Sequence, residues 1–382
     1  MNRGMVSDKP QRILYVMPSP LRRAGTETYA MNYYRHFDRS KIQIDFLVHG
    51  FEKGDFDSEV DDLGGGLYQV HKRGLRVTRN IGELRKFFAT NHYDLVHVHM
   101  DAGNYLVLKI AREAGVPIRI SHSHNTDFQT DNALKLAWDR YQQKRIPQEA
   151  THLFACSKAA AEWLYGAERL SEVHIVPNAI DLTKFAYNVR KRWAIRNKIG
   201  IAEDAIAIGH VGRFSYQKNH EFLIDVFTEL LGRNMGYELV LIGDGENQTR
   251  IRELAEGRGI AEHVVMVGAV DNAADYYSAL DIFALPSHFE GLPVVGVEAQ
   301  ANGLPCLFSD KITTEVNFTG DVEFLPIEGD AAVKTWANVI KALGMPLRNT
   351  GASDLLRAAG YDIEESARML EETYRCLLAS IQ

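Results

Sequence analysis

The feature that most restricts what this chain can fold into is an alternation, running almost end to end, of short β-rich apolar runs with helical stretches. Residues 13–17 read as a strand and 26–37 as the helix that follows. Further strands fall at 44–48, 94–99, 117–121, 152–156 and 174–176, with a helix at 158–165. A second series begins at 206–211 and continues at 238–242, 264–267, 282–285 and 306–308. Parallel strands need a crossover between them, and a helix is the usual one, so this alternation predicts α/β sheets covered by helices on both faces. Between the two series, residues 181–205 are charged and carry no strand signal, which predicts a linker. The expected organisation is a Rossmann-like domain over 1–180, the linker, and a second Rossmann-like domain over 206–362. A terminal helix over 363–382 would cross back to the first domain. The default site is a central cleft faced by the two domains.

Bulk properties narrow the function classes. No apolar run approaches the roughly 20 residues of a membrane span, and no signal-peptide core opens the chain. Cys156, Cys306 and Cys376 lie far apart without metal spacing, which fits a reduced, cytoplasmic setting. Residues 1–180 hold 24 Lys+Arg against 21 Asp+Glu, whereas the rest hold 19 against 29. The segment from Lys72 to Lys86 has six basic residues and one acid, Glu83. It reads as a solvated face, or as an attractant for anionic membrane lipid or a pyrophosphate-linked acceptor. No aromatic-basic motif accompanies it, so nucleic acid is not an expected partner.

The loop after the first strand, residues 18–27, lacks Gly-x-Gly-x-x-Gly. Gly243-Asp-Gly245 has Gln248 where a third glycine would stand. A dehydrogenase is therefore disfavoured, and no P-loop is present.

The chemistry concentrates in residues 288–305, where Glu290 and Glu298 sit eight positions apart among glycines, prolines and apolar residues. The segment follows a strand end and reads as a turn from Gly291 into a helix through Glu298, with Pro293 tolerated in its first turn. Amides at Gly291, Leu292 and Val294 then form an anion site. Eight helical residues span roughly 12 Å, about the length of a nucleotide-sugar from ribose to hexose. One carboxylate could accept hydroxyls of the sugar and the other those of the ribose. Arg213 and Lys218 follow another strand end, where fixed cations would offset charge developing on a leaving diphosphate.

This stretch resembles the Glu-x7-Glu motif of retaining glycosyltransferase family 4, which has the GT-B fold. Residues 285–287, 290–294 and 298–305 are all similar to the family. So are 211–219 with Arg213 and Lys218, 176–181 with Ala179 in place of a glycine, and 242–245. Residues 23–27 are similar to the family's Gly-Gly-x-Glu loop, with Ala24 replacing the first glycine and Gly25 aligned with the second. The resemblance implies that Gly25, Arg213, Lys218, Gly291, Leu292 and Val294 contact the donor diphosphate. It implies that Glu290 binds the transferred sugar and Glu298 the ribose, with no metal or other cofactor.

His97 and His99, like His122 and His124, share a strand face by alternation. A zinc site is one reading, although no carboxylate or cysteine completes it at obvious spacing. Residues 121–126 instead resemble the family's strand-end histidine beside the reacting carbon, which implies His124, with His122 as the competing register. Its role would be to hydrogen-bond the sugar, not to act as a base. Catalytic expectations thus fall on His124, Glu290, Arg213 and Lys218. Residues 31–48 are similar to the subgroup that builds bacterial exopolysaccharide and capsule units. That implies transfer from a UDP-hexose or UDP-N-acetylhexosamine to a saccharide or lipid-diphosphate-linked saccharide, with peripheral contact at an anionic membrane. A UDP-sugar 2-epimerase-like isomerase and a non-catalytic nucleotide-sugar-binding protein are the alternatives.

Overall fold

Runs rich in Val, Ile, Leu and Phe are what a strand covered on both faces requires. In the computed structural model, which describes residues 10–23, 25–74, 76–128, 130, 132–232 and 236–381, these runs pair into two wholly parallel sheets. The first holds β1 (Gln11–Met17), β2 (Ile42–His49), β3 (Leu67–Val70), β4 (Leu95–Val98), β5 (Ile118–Ser123), β6 (His152–Ala155) and β7 (Val173–Ile175), in the order β3-β2-β1-β4-β5-β6-β7. The second holds β8 (Ile206–Val211), β9 (Tyr237–Ile242), β10 (Val264–Gly268), β11 (Ile282–Leu285), β12 (Cys306–Ser309) and β13 (Val322–Leu325), in the order β10-β9-β8-β11-β12-β13. Strand order reverses between β1 and β4 and again between β8 and β11. Those switch points open crevices beyond the carboxyl ends of the strands, where ligands of such sheets bind.

The chain divides into two compact units, Met1–Ala179 with Ile363–Gln382, and Ile180–Asp362. Each sheet has an apolar layer on both faces. The last helix, Ile363–Ala379, packs on Gly25–His36 in the first unit. Ile363, Ala367, Leu370, Tyr374 and Leu378 enter that core on a 3–4-residue repeat. Gln382, within the expected terminal helix, lies outside the described residues.

The expected linker is a correction. Residues 181–205 form two helices, Leu182–Phe185 and Val189–Ile199, within the second unit. Asp181 caps the first by accepting the Lys184 amide at 2.8 Å, and Asn188 caps the second through the amides of Arg190 and Lys191. Gly200 ends it at φ 76°. The charge that made this stretch read as solvated is partly internal. Arg192 and Arg196 are buried against Asp281, which sits immediately before β11. The four-residue edge strands β3 and β13 are additions to the sequence reading.

Candidate active site

Leu285 ends β11, and residues 286–293 cross the carboxyl edge of the second sheet before the helix Val294–Ala301. The helix begins later than expected. Pro293 occupies its N-cap with φ −70° and ψ 113°, and a proline disfavours helical geometry in the residue before it. Glu290 therefore belongs to the loop, and of the two glutamates only Glu298 is helical. Gly296 lets this helix pack close to the sheet, since a Cβ there would fall 2.8 Å from the Phe308 ring.

Glu290 is the hub of this loop. Its carboxylate meets Lys218 Nζ at 2.6 Å, accepts Ser287 Oγ at 2.8 Å, and lies 3.3 Å from Gln217 Nε2. Lys218 comes from the short turn Tyr216–Lys218 beyond β8. The two loops are tied together in three more places. His288 donates its amide to the Gln217 carbonyl at 2.8 Å, Gln217 Nε2 donates to the Phe289 carbonyl, and Asn219 donates to the Pro286 carbonyl. Asn219 holds φ 54°, a left-handed conformation that asparagine tolerates better than most residues. The Lys218–Glu290 pair is thus pre-set, and its side chains are only 14% and 9% exposed.

Arg213 departs from this cluster. It is 72% exposed and pairs with Glu246 at 3.1 Å, a surface contact weak enough to yield to a stronger anion. The Gly243-Asp-Gly245 segment has a packing explanation. A Cβ on Gly243 would lie 2.1 Å from the Gly212 carbonyl oxygen, and one on Gly245 would lie 2.6 Å from that of Phe214. The glycines bring the β9 loop onto the backbone that carries Arg213.

Glu298 accepts a hydrogen bond from Tyr277 Oη at 2.7 Å. Burial raises its pKa above the ordinary carboxyl value, outweighing the opposing effects of Tyr277, Lys184 and Lys218. The folded chain therefore holds this proton more readily than the unfolded one. Stability from this group is full at acid pH and falls as pH climbs through the raised pKa. Glu298→Gln keeps an acceptor for Tyr277 and removes the buried charge. It should raise the Tm at pH 8 relative to the parent while leaving the Tm at pH 4 nearly unchanged; calorimetry showing a lower Tm at pH 8 would contradict this account.

In the first unit, Gly25 opens the helix after β1, with open space where a Cβ would point. Ala24, the departure from the family loop, lies outside the described residues. The four histidines stand side by side beneath this helix. His97 Nε2 meets His122 Nδ1 at 3.0 Å, His97 Nδ1 meets Tyr374 Oη at 2.7 Å, and His99 Nδ1 meets His124 Nε2 at 2.9 Å. Burial pushes all four pKa values down, that of His124 to about 3. His122 is fully buried, whereas His124 is partly exposed and so is the one that can meet a ligand. Ring nitrogens of His97, His99 and His122 come within 4.8 Å of one another. Both His97 ring nitrogens are already hydrogen-bonded, to His122 and Tyr374, and the His99–His124 contact ties the set to His124, which it orients. Asp101 fixes the same strand end, accepting the His124 amide at 2.7 Å and Asn125 Nδ2 at 2.6 Å.

The sequence reading missed Ser287 and Gln217, although both lie inside stretches it singled out. It also missed Tyr277 and Asp101, which had no signal of their own beyond their neighbours.

Two doubly wound parallel sheets, each with polar groups gathered at its switch point, are the architecture of the GT-B fold. The family profile described as Glycosyltransferase Family 4 matches residues 23–184, and that described as Glycosyl transferases group 1 matches 191–323. The chain is 37% identical over 97% of its length to the putative glycosyltransferase EpsF of Bacillus subtilis (strain 168), covering 97% of that protein. It is 24% identical to the capsular polysaccharide biosynthesis glycosyltransferase CapH of Staphylococcus aureus, covering 93% of this chain and 96% of CapH. Among solved structures it is similar to Anabaena Alr3699/HepE in complex with UDP-glucose, with TM-score 0.75, 18% identity, and coverage of 96% of this chain and 99% of that one. The chain belongs to glycosyltransferase family 4. It is a glycosyltransferase of polysaccharide biosynthesis.

Proposed function

We propose that this enzyme moves a hexose or N-acetylhexosamine from a UDP-sugar to a saccharide or lipid-diphosphate-linked saccharide, with retention at the anomeric carbon. The observation that carries the reading is the Lys218–Glu290–Ser287 cluster at the switch point of the second sheet. A diphosphate arriving there meets Lys218, the movable Arg213 and the amides of Gly291, Leu292 and Val294, which together offset its charge without a metal. Glu290, once its lysine turns to phosphate, accepts hydroxyls of the transferred sugar while Ser287 still holds its carboxylate. Glu298, steadied by Tyr277, accepts those of the ribose. Within the first unit, the Gly25 amide is assigned to a phosphate and His124 to a sugar hydroxyl. Because His124 stays neutral at working pH, it hydrogen-bonds and does not serve as a charged acid.

Retention fits a same-face displacement. As the anomeric C–O bond to phosphate breaks, the acceptor oxygen bonds the same carbon from the same side. Its proton passes to the departing phosphate oxygen, so atoms and charge balance without a protein nucleophile. The UDP-glucose complex of the Anabaena protein supports the choice of nucleotide. The cytoplasm, where nucleotide sugars are made, is the proposed compartment. Among the described residues no helix is long and apolar enough to cross a membrane, and any membrane attachment in this proposal is peripheral.

Slow UDP release with water as acceptor, screened over a panel of UDP-sugars, tests the reading. One donor should stand out, and the released sugar should keep its anomeric configuration by NMR at early times. Inverted product, or acceptor-independent conversion of the UDP-sugar to an isomer, would overturn it.

A further inference from the structure

The basic segment from Lys72 to Lys86 remains to be explained, and most of it is not a free positive face. Lys72 pairs with Glu52 at 2.6 Å, Arg79 with Glu83 at 3.2 Å, and Arg85 with Glu113 at 3.2 Å. Arg73 behaves differently. Its side chain turns toward the loop after β4, where Nη1 donates to the Gly103 carbonyl at 3.1 Å. Among the described residues no carboxylate lies within ion-pair distance of it. Desolvation outweighs the attraction of Asp139 and lowers its pKa to about 10. Gly103 makes room for it, because a Cβ there would fall 2.0 Å from Arg73 Nη2. A desolvated arginine with no carboxylate in ion-pair contact is a costly arrangement unless an anion completes it.

Arg73 lines a cavity of about 620 Å³ beyond the carboxyl ends of β1, β4 and β5. Phe128, Trp138 and Trp163 supply aromatic walls, Asp101, Asp127 and Asp139 supply carboxylates, and Lys135, paired with Asp139 at 3.0 Å, supplies a second cation. Trp138 is 49% exposed and stacks with Tyr141, at 5.3 Å between ring centroids. Aromatic faces beside hydroxyl-accepting carboxylates suit a pyranose, which has C–H faces and a hydroxyl rim. The cavity also adjoins the residue expected beside the reacting carbon, since Asp101 holds the His124 amide.

The geometry points to Arg73 as the residue that reads a phosphate on the acceptor, with the acceptor's sugar on the indoles of the same cavity. The inference rests on the transferase reading and commits the acceptor to a phosphate-bearing class. It also takes Arg73 out of any lipid-attracting surface and assigns it to substrate recognition.

Binding of three probes, followed by tryptophan fluorescence, tests it: octyl N-acetylglucosaminyl diphosphate, N-acetylglucosamine 1-phosphate and the neutral octyl N-acetylglucosaminide. The diphosphate should bind the parent at least about ten-fold more tightly than the neutral glycoside, as expected for one charge-assisted contact. The monophosphate should fall between them. Arg73→Gln should erase that preference. Gly103→Ala should do the same by displacing the guanidinium without changing charge, since Gly103 already has φ −66°. Trp138→Ala, at a half-exposed position, should weaken all three probes alike. Equal affinity of the parent for diphosphate and neutral glycoside, or an unchanged preference in both Arg73→Gln and Gly103→Ala, would overturn the proposal. UDP release by the parent is scored separately. Its absence for every donor counts against the transferase reading, whereas lost phosphate discrimination with release intact counts against the acceptor site alone.

Discussion

Glu290→Ala should lower sugar transfer by about 10³-fold, the scale seen when one group meeting the transition state is removed, with an unchanged far-UV circular dichroism spectrum. The loss has two components. The carboxylate that would accept hydroxyls of the transferred sugar is gone, and Lys218 loses the partner that holds it at 2.6 Å. The fold should survive because Glu290 lies in a loop tied down independently by His288, Gln217 and Asn219. Glu290→Gln separates the components, keeping the hydroxyl acceptor while removing the charge that restrains the lysine. Turnover by Glu290→Ala equal to that of the parent, measured by UDP release, would remove Glu290 from the mechanism.

Asp281→Ala should cost about 3–5 kcal/mol of folding stability, the range for breaking a buried ionic cluster from one side. Asp281 is 5% exposed and faces two arginines, meeting Arg192 Nη2 at 2.7 Å and Arg196 Nη2 at 3.3 Å. It also accepts the Ala207 amide at 2.8 Å at the start of β8. Removing it leaves two interior guanidinium groups facing each other without an acid, and an amide without its acceptor. Urea denaturation would report the loss as a lower midpoint with little change in slope. A midpoint within experimental error of the parent would mean that the arginines find other partners.

These two acids show what could be read from the chain and what could not. Glu290 was legible because it is an acid at an odd place, in an apolar stretch after a strand end. Asp281, one residue before the same strand, carries no such signal. Its partners lie 85 to 89 positions away in sequence, in a stretch that looked like a linker because it is rich in arginine. Charge in a sequence indicates solvent only until a distant partner is known. The strands that reach the sheet centres were plain from their apolar runs. Edge strands β3 and β13 have four residues each, with Gln69 and Glu323 pointing to solvent, and carry too little pattern to stand out. The helix start was placed too early because Pro293 fits either the first turn or the cap, and only the backbone angles decide.

The bridge between Ile180 and Asp362 has a bearing on how such a chain can be taken apart. The second unit enters at one of these residues and leaves at the other, with the Ile180 amide bonded to the Tyr361 carbonyl at 3.0 Å. A segment of 183 residues whose ends already lie side by side is a natural cassette. It can be excised, rejoined through a short loop or exchanged for a relative's counterpart with little entropy spent on closing the chain. Donor preference and acceptor preference could then be swapped as separate parts.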